Sequence, residues 1–251
     1  LLKQGTSIDE VKEVIAKEEI QYPFIAKPDI GLRGSAVKKI SCHEELNAYV
    51  QKADFDYIIQ DLIPYDNEVG IFYVRYPNED KGRITGVVAK EFLIVVGDGC
   101  STIATLIKRN PRFELQLQAL QKEYGDQLQK VLNIGEKLNL VPYGNHARGA
   151  KFIDGSHWIT PELEKTIDAI CVKIPGFFYG RLDVMYRSWE ELEKGENFAI
   201  VELNGAASEP THIYDPKHSV FFAWKELARH ITYLYEISML NNQQGFPFLS
   251  H

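Results

Sequence analysis

Two pairs of polar residues stand two positions apart within apolar stretches of the second half of the chain. Arg181 and Asp183 alternate with Leu182 and Val184, and Glu202 and Asn204 alternate with Val201 and Leu203. Residues two apart share a face of a β-strand. Two such strands laid side by side would therefore gather two carboxylates, an amide oxygen and a guanidinium in one patch. Hard oxygen donors of this kind suit Mg²⁺, which keeps several waters and bridges to substrate phosphates. Two amphipathic strands with solvated polar faces would produce the same pattern, and these residues by themselves leave both readings open.

A second set is Lys27-Pro28 followed by Asp29-Ile30-Gly31-Leu32-Arg33-Gly34-Ser35. Backbone N–H groups of a Gly-rich turn can cradle phosphate oxygens, and a lysine at a strand end adds a point charge. No Gly-Lys-Ser/Thr follows, so this is not a Walker A loop. A strand rather than a helix is predicted next, which excludes a dinucleotide fingerprint. A third set, Asn145-His146-Ala147-Arg148-Gly149-Ala150-Lys151, concentrates three cationic side chains, His146, Arg148 and Lys151, in a Gly-flanked loop. Arginine suits bidentate carboxylate binding, so this is either an anion site for a substrate or a solvated loop. Glu209, His212 and Tyr214 follow the Glu202/Asn204 stretch and could line an acceptor pocket or serve structure. Cys100 shows no partnered base and is read as structural.

These residues need elements to position them. Strands are predicted over 22–26, 36–40 and 57–60, and capping boxes at Ser7/Glu10 and Ser41/Glu44 predict two short helices. Longer strands over 68–76 and 84–96, joined by a turn at 78–82, predict a hairpin. Residues 101–132 read as helical with a break at Asn110-Pro111-Arg112. Thr160-Pro161 opens a helix through Leu163, Ile167 and Ile170 that stops at Pro175-Gly176. Strands over 180–186 and 198–203 follow. A last helix carries Phe221, Trp224, Leu227, Ile231 and Leu234 as one apolar stripe. The expectation is an α+β protein of two unequal lobes, 1–63 with the Gly-rich loop and 64–251 with the paired polar strands.

The 251 residues hold 28 Lys+Arg against 35 Asp+Glu, a formal charge of −7, which argues against a nucleic-acid partner. No apolar run approaches the roughly 18 residues of a membrane span, so no membrane partner is expected. Cys42, Cys100 and Cys171 lie far apart without metal-ligand spacing, which favours a reducing, cytoplasmic setting. The chain opens on Leu without a signal-like segment, and further N-terminal sequence is expected.

The order of the motifs is more specific than any one of them. Lys-Pro and the Gly-rich loop come first, then Gln60-Asp61-Leu62-Ile63 with Glu68 seven residues after Asp61, and later Gly-Arg-x-Asp and Glu-x-Asn. This order resembles the ATP-grasp superfamily, in particular its carboxylate–amine ligases such as D-alanine–D-alanine ligases. The stretch Val96-Gly97-Asp98-Gly99-Cys100-Ser101-Thr102-Ile103, with Asn110-Pro111-Arg112 after it, is similar to cyanophycin and glutathione synthetases of that superfamily. The resemblance implies an ATP-grasp fold whose two α+β lobes clasp ATP, with an N-terminal pre-grasp domain missing or truncated. It implies ATP and Mg²⁺, with Mn²⁺ as a substitute, and an amide-forming ligase that works through an acyl-phosphate on small carboxylate and amine substrates. A phosphotransferase or a non-catalytic ATP sensor on the same fold is the alternative, and a homodimer is allowed for.

Carried over by residue, Lys27 would contact the phosphates beneath the Gly31, Gly34 and Ser35 backbone. Asp61, Leu62 and Ile63 would sit at the adenine edge, Glu68 at the ribose, and Lys90 toward the nucleotide. Asp183, Glu202 and Asn204 would hold Mg²⁺, and Arg181 would stabilise the transferring phosphoryl group. His146, Arg148, Lys151, Glu209 and His212 would serve substrate. The chain departs from the family in two places. The family's first phosphate lysine precedes a strand N-terminal to Lys27, in sequence this chain lacks or only begins, and Asp61 is one methylene shorter than the usual adenine-side glutamate.

Overall fold

A computed structural model describes residues 1–30, 36–140 and 151–248. The chain divides into two compact units, Leu1–Pro64 and Tyr65–His251, both mixing helices with antiparallel sheet.

In the first unit β1 (Phe24–Pro28) lies between β2 (Lys38–Ile40) and β3 (Tyr57–Asp61). Phe24, Ala26, Ile40 and Tyr57 form its core with Val11 of α1 (Ile8–Lys17) and Leu46 of α2 (His43–Lys52). The capping box at the start of α1 is present: Ser7 accepts from the Glu10 N–H, and the Glu10 carboxylate accepts from the Ser7 N–H at 2.9 Å. The one expected at Ser41/Glu44 is not. Cys42 is the N-cap, without a side-chain cap bond, and the Ser41 N–H donates to Glu45 at 2.8 Å. Leu46 and Tyr49 of this helix are buried in the core.

The second unit is built on a five-stranded antiparallel sheet of order β10-β9-β4-β5-β8. Its strands are β4 (Asn67–Val74), β5 (Arg83–Glu91), β8 (Lys151–Asp154), β9 (Tyr179–Tyr186) and β10 (Phe198–Asn204). Val69, Ile71, Val87, Leu182 and Val184 point to one face and pack on Leu163, Ile167 and Cys171 of α6 (Pro161–Cys171) and Leu192 of α7 (Trp189–Lys194). Thr160 caps α6 by accepting from the Leu163 N–H at 3.2 Å. The single strand expected over 84–96 is two. After Glu91 the chain leaves the sheet, and β6 (Ile94–Val96) pairs with β7 (Lys137–Asn139) in a separate two-stranded sheet. Leu93 and Val95 then feed a second apolar cluster with Ile103, Leu106 and Ile107 of α3 (Ile103–Lys108), Phe113 of α4 (Pro111–Glu114) and Leu120 of α5 (Leu117–Tyr124).

The last helix, α8 (Val220–Gln243), corrects the expected stripe. Its buried residues are Glu226, His230 and Ile237, while Phe221, Trp224 and Ile231 are exposed. Ile237, with Leu234 and Tyr233, packs on Phe72, Val74 and Tyr179, and polar contacts join it in fixing the inward face. Arg229 donates to the Thr85 carbonyl at 3.0 Å, and His230 Nε2 lies 3.0 Å from Thr85 Oγ1. Thr85 can reach the helix because it is the extra residue of a bulge: Phe72 pairs with Gly86, but Tyr73 pairs with Ile84. Beside it the His212 ring covers Gly86, where an added Cβ would lie 2.3 Å from Nδ1. Gly86→Ala is expected to cost about 1–3 kcal/mol in urea unfolding. Gly205→Ala, whose Cβ would meet nothing within 4 Å, is the control expected to cost little. Equal stability of the two variants would contradict this packing.

Candidate active site

The second face of the five-stranded sheet carries polar side chains from four adjacent strands. In register, Gly70 of β4 pairs with Asp183 of β9 and Phe72 with Arg181, while on the other side of β9 Glu202 pairs with Asp183 and Asn204 with Arg181. Lys90 of β5 reaches across β4, bonding the Glu68 carboxylate and lying 3.4 Å from Asp183 Oδ2. Gly70 leaves the room for this. A Cβ there would stand 2.8 Å from Val88 Cγ1, 3.2 Å from Arg181 Cδ and 3.3 Å from Asp183 Oδ1.

Simple alternation would not bring Glu202 and Asn204 to this face. Phe198 pairs with Tyr186 and Ile200 with Val184, on the apolar side that packs against the helices. Residues 198, 200, 202 and 204 have the same parity. The register shifts between Ile200 and Glu202, leaving Val201 as the extra residue of a β-bulge. That one residue reverses the strand's facing, so its first half serves the core and its second half serves the polar patch.

Burial sets the electrostatics. Asp183 is 4% exposed, and Arg181 donates to both its oxygens, Nε to Oδ1 at 2.9 Å and Nη2 to Oδ2 at 3.3 Å. Burial alone pushes the Asp183 carboxyl up. Lys90 and Arg181 outweigh that and hold it below its ordinary value. Burial likewise favours neutral Lys90, but Asp183 and Glu68 keep its ammonium above its usual value. Arg181 is raised against burial by Asp183, with smaller help from Glu202 and Glu68. Three carboxylates thus face two fixed cations.

The donors fit a divalent cation of the Mg²⁺ type. Glu202 is exposed and stands opposite Asp183. Asn204 pairs with Arg181 on the same face, and its Oδ1 is the atom that would join the two carboxylates, while the buried Nδ2 of that side chain finds no hydrogen-bond partner among the described residues. Two carboxylates and an amide oxygen are hard donors but not a complete cage, as suits an ion that keeps waters and phosphate oxygens. Among the described residues, no group of three or more His, Cys, Asp or Glu side chains is arranged to hold a metal by itself.

The sequence-predicted residues distribute as follows. Glu68, Lys90, Arg181, Asp183, Glu202 and Asn204 lie on the one face. Lys27 is on β1 of the first unit beside Ile58, one position on from the inward Ala26. Asp61 ends β3, and Leu62 and Ile63 follow it, half-buried. Gly31, Gly34, Ser35, His146 and Arg148 lie outside the described residues. Lys151 does not join the patch: Phe152 is the partner of Lys90, whereas Lys151 pairs with Glu91 at 3.4 Å. His212 is buried over Gly86 with Nε2 3.3 Å from Glu226, which makes it a support of its loop. Tyr214 donates to Glu209 at 2.6 Å, and its hydroxyl is pushed up to about 12 by that carboxylate and by burial. The Tyr214 ring lies near Phe152, next to the patch. Sequence reasoning missed the roles of Gly70 and Val201. A lone Gly inside a strand pattern was the available signal for the first, and Val201 carried none.

No family model matches the chain, and no curated protein matches it. Among solved structures, D-alanine–D-alanine ligase from Bacillus anthracis aligns at 14% identity and a TM-score of 0.49, covering 98% of this chain and 62% of that one. A D-Ala:D-Ser ligase from Enterococcus faecalis aligns at 15% identity and 0.47, covering 90% and 53%. A bifunctional glutathione synthetase from Pasteurella multocida aligns at 16% identity and 0.41, covering 83% and 30%. The chain therefore spans less than two thirds of the length of each.

Removing Lys90 would leave Glu68 and Asp183 buried with too little positive charge. Lys90→Met is expected to lose about 3–5 kcal/mol at neutral pH. Wild-type Asp183, with its lowered pKa, contributes stability that is complete above the unfolded-state value of about 4 and is lost as pH falls through the folded value. Without Lys90 the carboxyl moves upward, so the variant's deficit is largest near neutrality and narrows on acidification. A deficit independent of pH in urea titrations between neutral and mildly acidic buffer would contradict the pairing.

Proposed function

We propose that the protein is an ATP-grasp carboxylate–amine ligase. ATP's γ-phosphoryl group passes to a substrate carboxylate, the resulting acyl-phosphate is attacked by an amine, and ADP, phosphate and an amide result. The observation that carries this reading is the single sheet face on which Glu68, Lys90, Arg181, Asp183, Glu202 and Asn204 converge, in the motif order described above.

In this reading Asp183, Glu202 and Asn204 hold Mg²⁺, which when bound would neutralise charge on the nucleotide's phosphates. Arg181, fixed by its two bonds to Asp183, keeps its charge against burial and faces the phosphoryl group as negative charge develops. Its preorganisation matters because a fixed cation needs no rearrangement during the reaction. Lys90 holds Asp183 and Glu68 ionised, and Glu68 accepts from the ribose hydroxyls. Lys27, with Gly31, Gly34 and Ser35, contributes to binding the phosphates, and Asp61, Leu62 and Ile63 to binding the adenine. In this reading Glu209 and Tyr214, joined by their hydrogen bond, meet the acceptor. A reducing, cytoplasmic setting fits the three free cysteines, and among the described residues no helix is long and apolar enough to cross a membrane.

The test is interception of the acyl-phosphate. With ATP, Mg²⁺ and a panel of small acids, hydroxylamine is expected to yield a hydroxamate from one of them. Arg181→Ala is expected to suppress this at least a hundredfold while changing nucleotide affinity far less. A stable phosphoester in place of a hydroxamate would make the protein a phosphotransferase. ATP binding with neither product across the panel would make it a sensor.

A further inference from the structure

The exposed side of α8 presents Val220, Trp224, Ala228, Ile231, Tyr235 and Met239 in one stripe, with Phe221 beside its first member. Trp224, Ile231 and Tyr235 are 61%, 65% and 64% exposed. This is an apolar helix face with nothing packed on it among the described residues, and it lies on the side of the helix away from the Glu226–His230–Ile237 contacts. Its spacings are four, four, three, four and four residues, so the stripe reads the same in both directions. We propose that this face is the interface of a two-fold homodimer in which two α8 helices pack antiparallel.

An isologous contact requires that if residue i meets j, then j meets i. Antiparallel pairing about the middle of the helix satisfies this along the whole stripe. Val220 meets Met239 of the second copy, Trp224 meets its Tyr235, and Ala228 meets its Ile231. A small residue faces a larger one at the dyad, and two aromatic rings face each other on either side of it, so the helices can approach closely at their centre. The spacing of the central residues, 221, 224, 228, 231 and 235, is also the alternating three and four of a helix–helix seam.

Charge selects the second copy and its direction. Lys225 and Glu236 each stand one position after a stripe residue, both exposed, at opposite ends of the same flank. Antiparallel pairing keeps this flank of both helices on the same side of the seam and brings each Lys225 beside the Glu236 of the other copy, twice by symmetry, whereas parallel pairing about a two-fold axis would turn the two flanks to opposite sides and lose both pairs. Glu236 is held on that flank by a hydrogen bond from the Tyr76 hydroxyl. The area is sufficient. Phe221, Trp224 and Tyr235, each three fifths or more exposed, offer together roughly 300–500 Å² on the usual burial of aromatic side chains. With the aliphatic members, one face approaches the roughly 800 Å² that each partner gives to a standard interface.

Sedimentation of the 251-residue chain across the micromolar range tests this. A monomer–dimer equilibrium is expected, reaching twice the 28.7 kDa of one chain. Trp224→Glu and Ile231→Glu, both at exposed positions, should each give monomer whose thermal unfolding matches that of wild-type protein diluted to monomer. Lys225→Glu should weaken the dimer several-fold in low salt. A chain that stays monomeric throughout would overturn the proposal and leave the face to a different partner. A dimer indifferent to both stripe variants would place the interface elsewhere. Unchanged or tighter association of Lys225→Glu would overturn the antiparallel pairing.

Discussion

A carboxylate that is almost wholly buried must be neutralised nearby, and the way Asp183 is neutralised organises the second unit. Its partners come from three directions: Arg181 from two residues earlier on β9, Lys90 from β5, and, through Lys90, Glu68 of β4. Gly70 is the gap that Arg181, Asp183 and the Val88 side chain close around. The sheet's apolar face could be repacked with other hydrophobic residues, but this network tolerates little change. Losing one cation leaves a charge stranded in low dielectric, and filling the gap at Gly70 pushes the ions apart. The same constraint makes the face useful. It fixes two cations and two carboxylates before any ligand arrives, so binding need not order them.

Much of this was legible in the sequence because it follows from periodicity. Arg181 and Asp183 alternate with Leu182 and Val184, and the register of β9 with β4 runs unbroken from Tyr179 to Tyr186. Glu202 and Asn204 were assigned to one face for the same reason, but the reason is incomplete. The core-facing Phe198 and Ile200 share their parity, and only the bulge at Val201 separates the two groups. A bulge is one extra residue with no composition of its own, so no pattern announces it. The same holds at Thr85. The split of 84–96 into two strands was settled by which large side chains found a core, a tertiary outcome that short windows do not contain. His212 looked like a ligand for substrate because it follows the Glu-x-Asn strand, and its burial against Glu226 is visible only in three dimensions.

The last helix joins these themes. It is apolar on more than one side, so its sequence cannot say which side turns inward. The choice falls to the side where Ile237 packs on Phe72, Val74 and Tyr179 and where bonds from Glu226, Arg229 and His230 reach the Thr85 bulge and His212. Through His212 the helix steadies the segment carrying Glu209 and Tyr214, which leads away from the Glu202/Asn204 strand. The other side, with its symmetric apolar stripe, is left for association. Site support and assembly are thus assigned to opposite faces of one element.

The polar sheet face is proposed to bind a divalent cation together with a nucleotide. Mn²⁺, whose paramagnetism reports bound and free ion, measures this directly in the presence of ADP. Wild-type protein is expected to bind the ion in a nucleotide-dependent manner. Glu202→Gln, which keeps the side chain's shape and removes its charge, is expected to weaken that binding at least tenfold. Mn²⁺ binding that is absent with nucleotide, or equal in wild type and Glu202→Gln, would contradict the account.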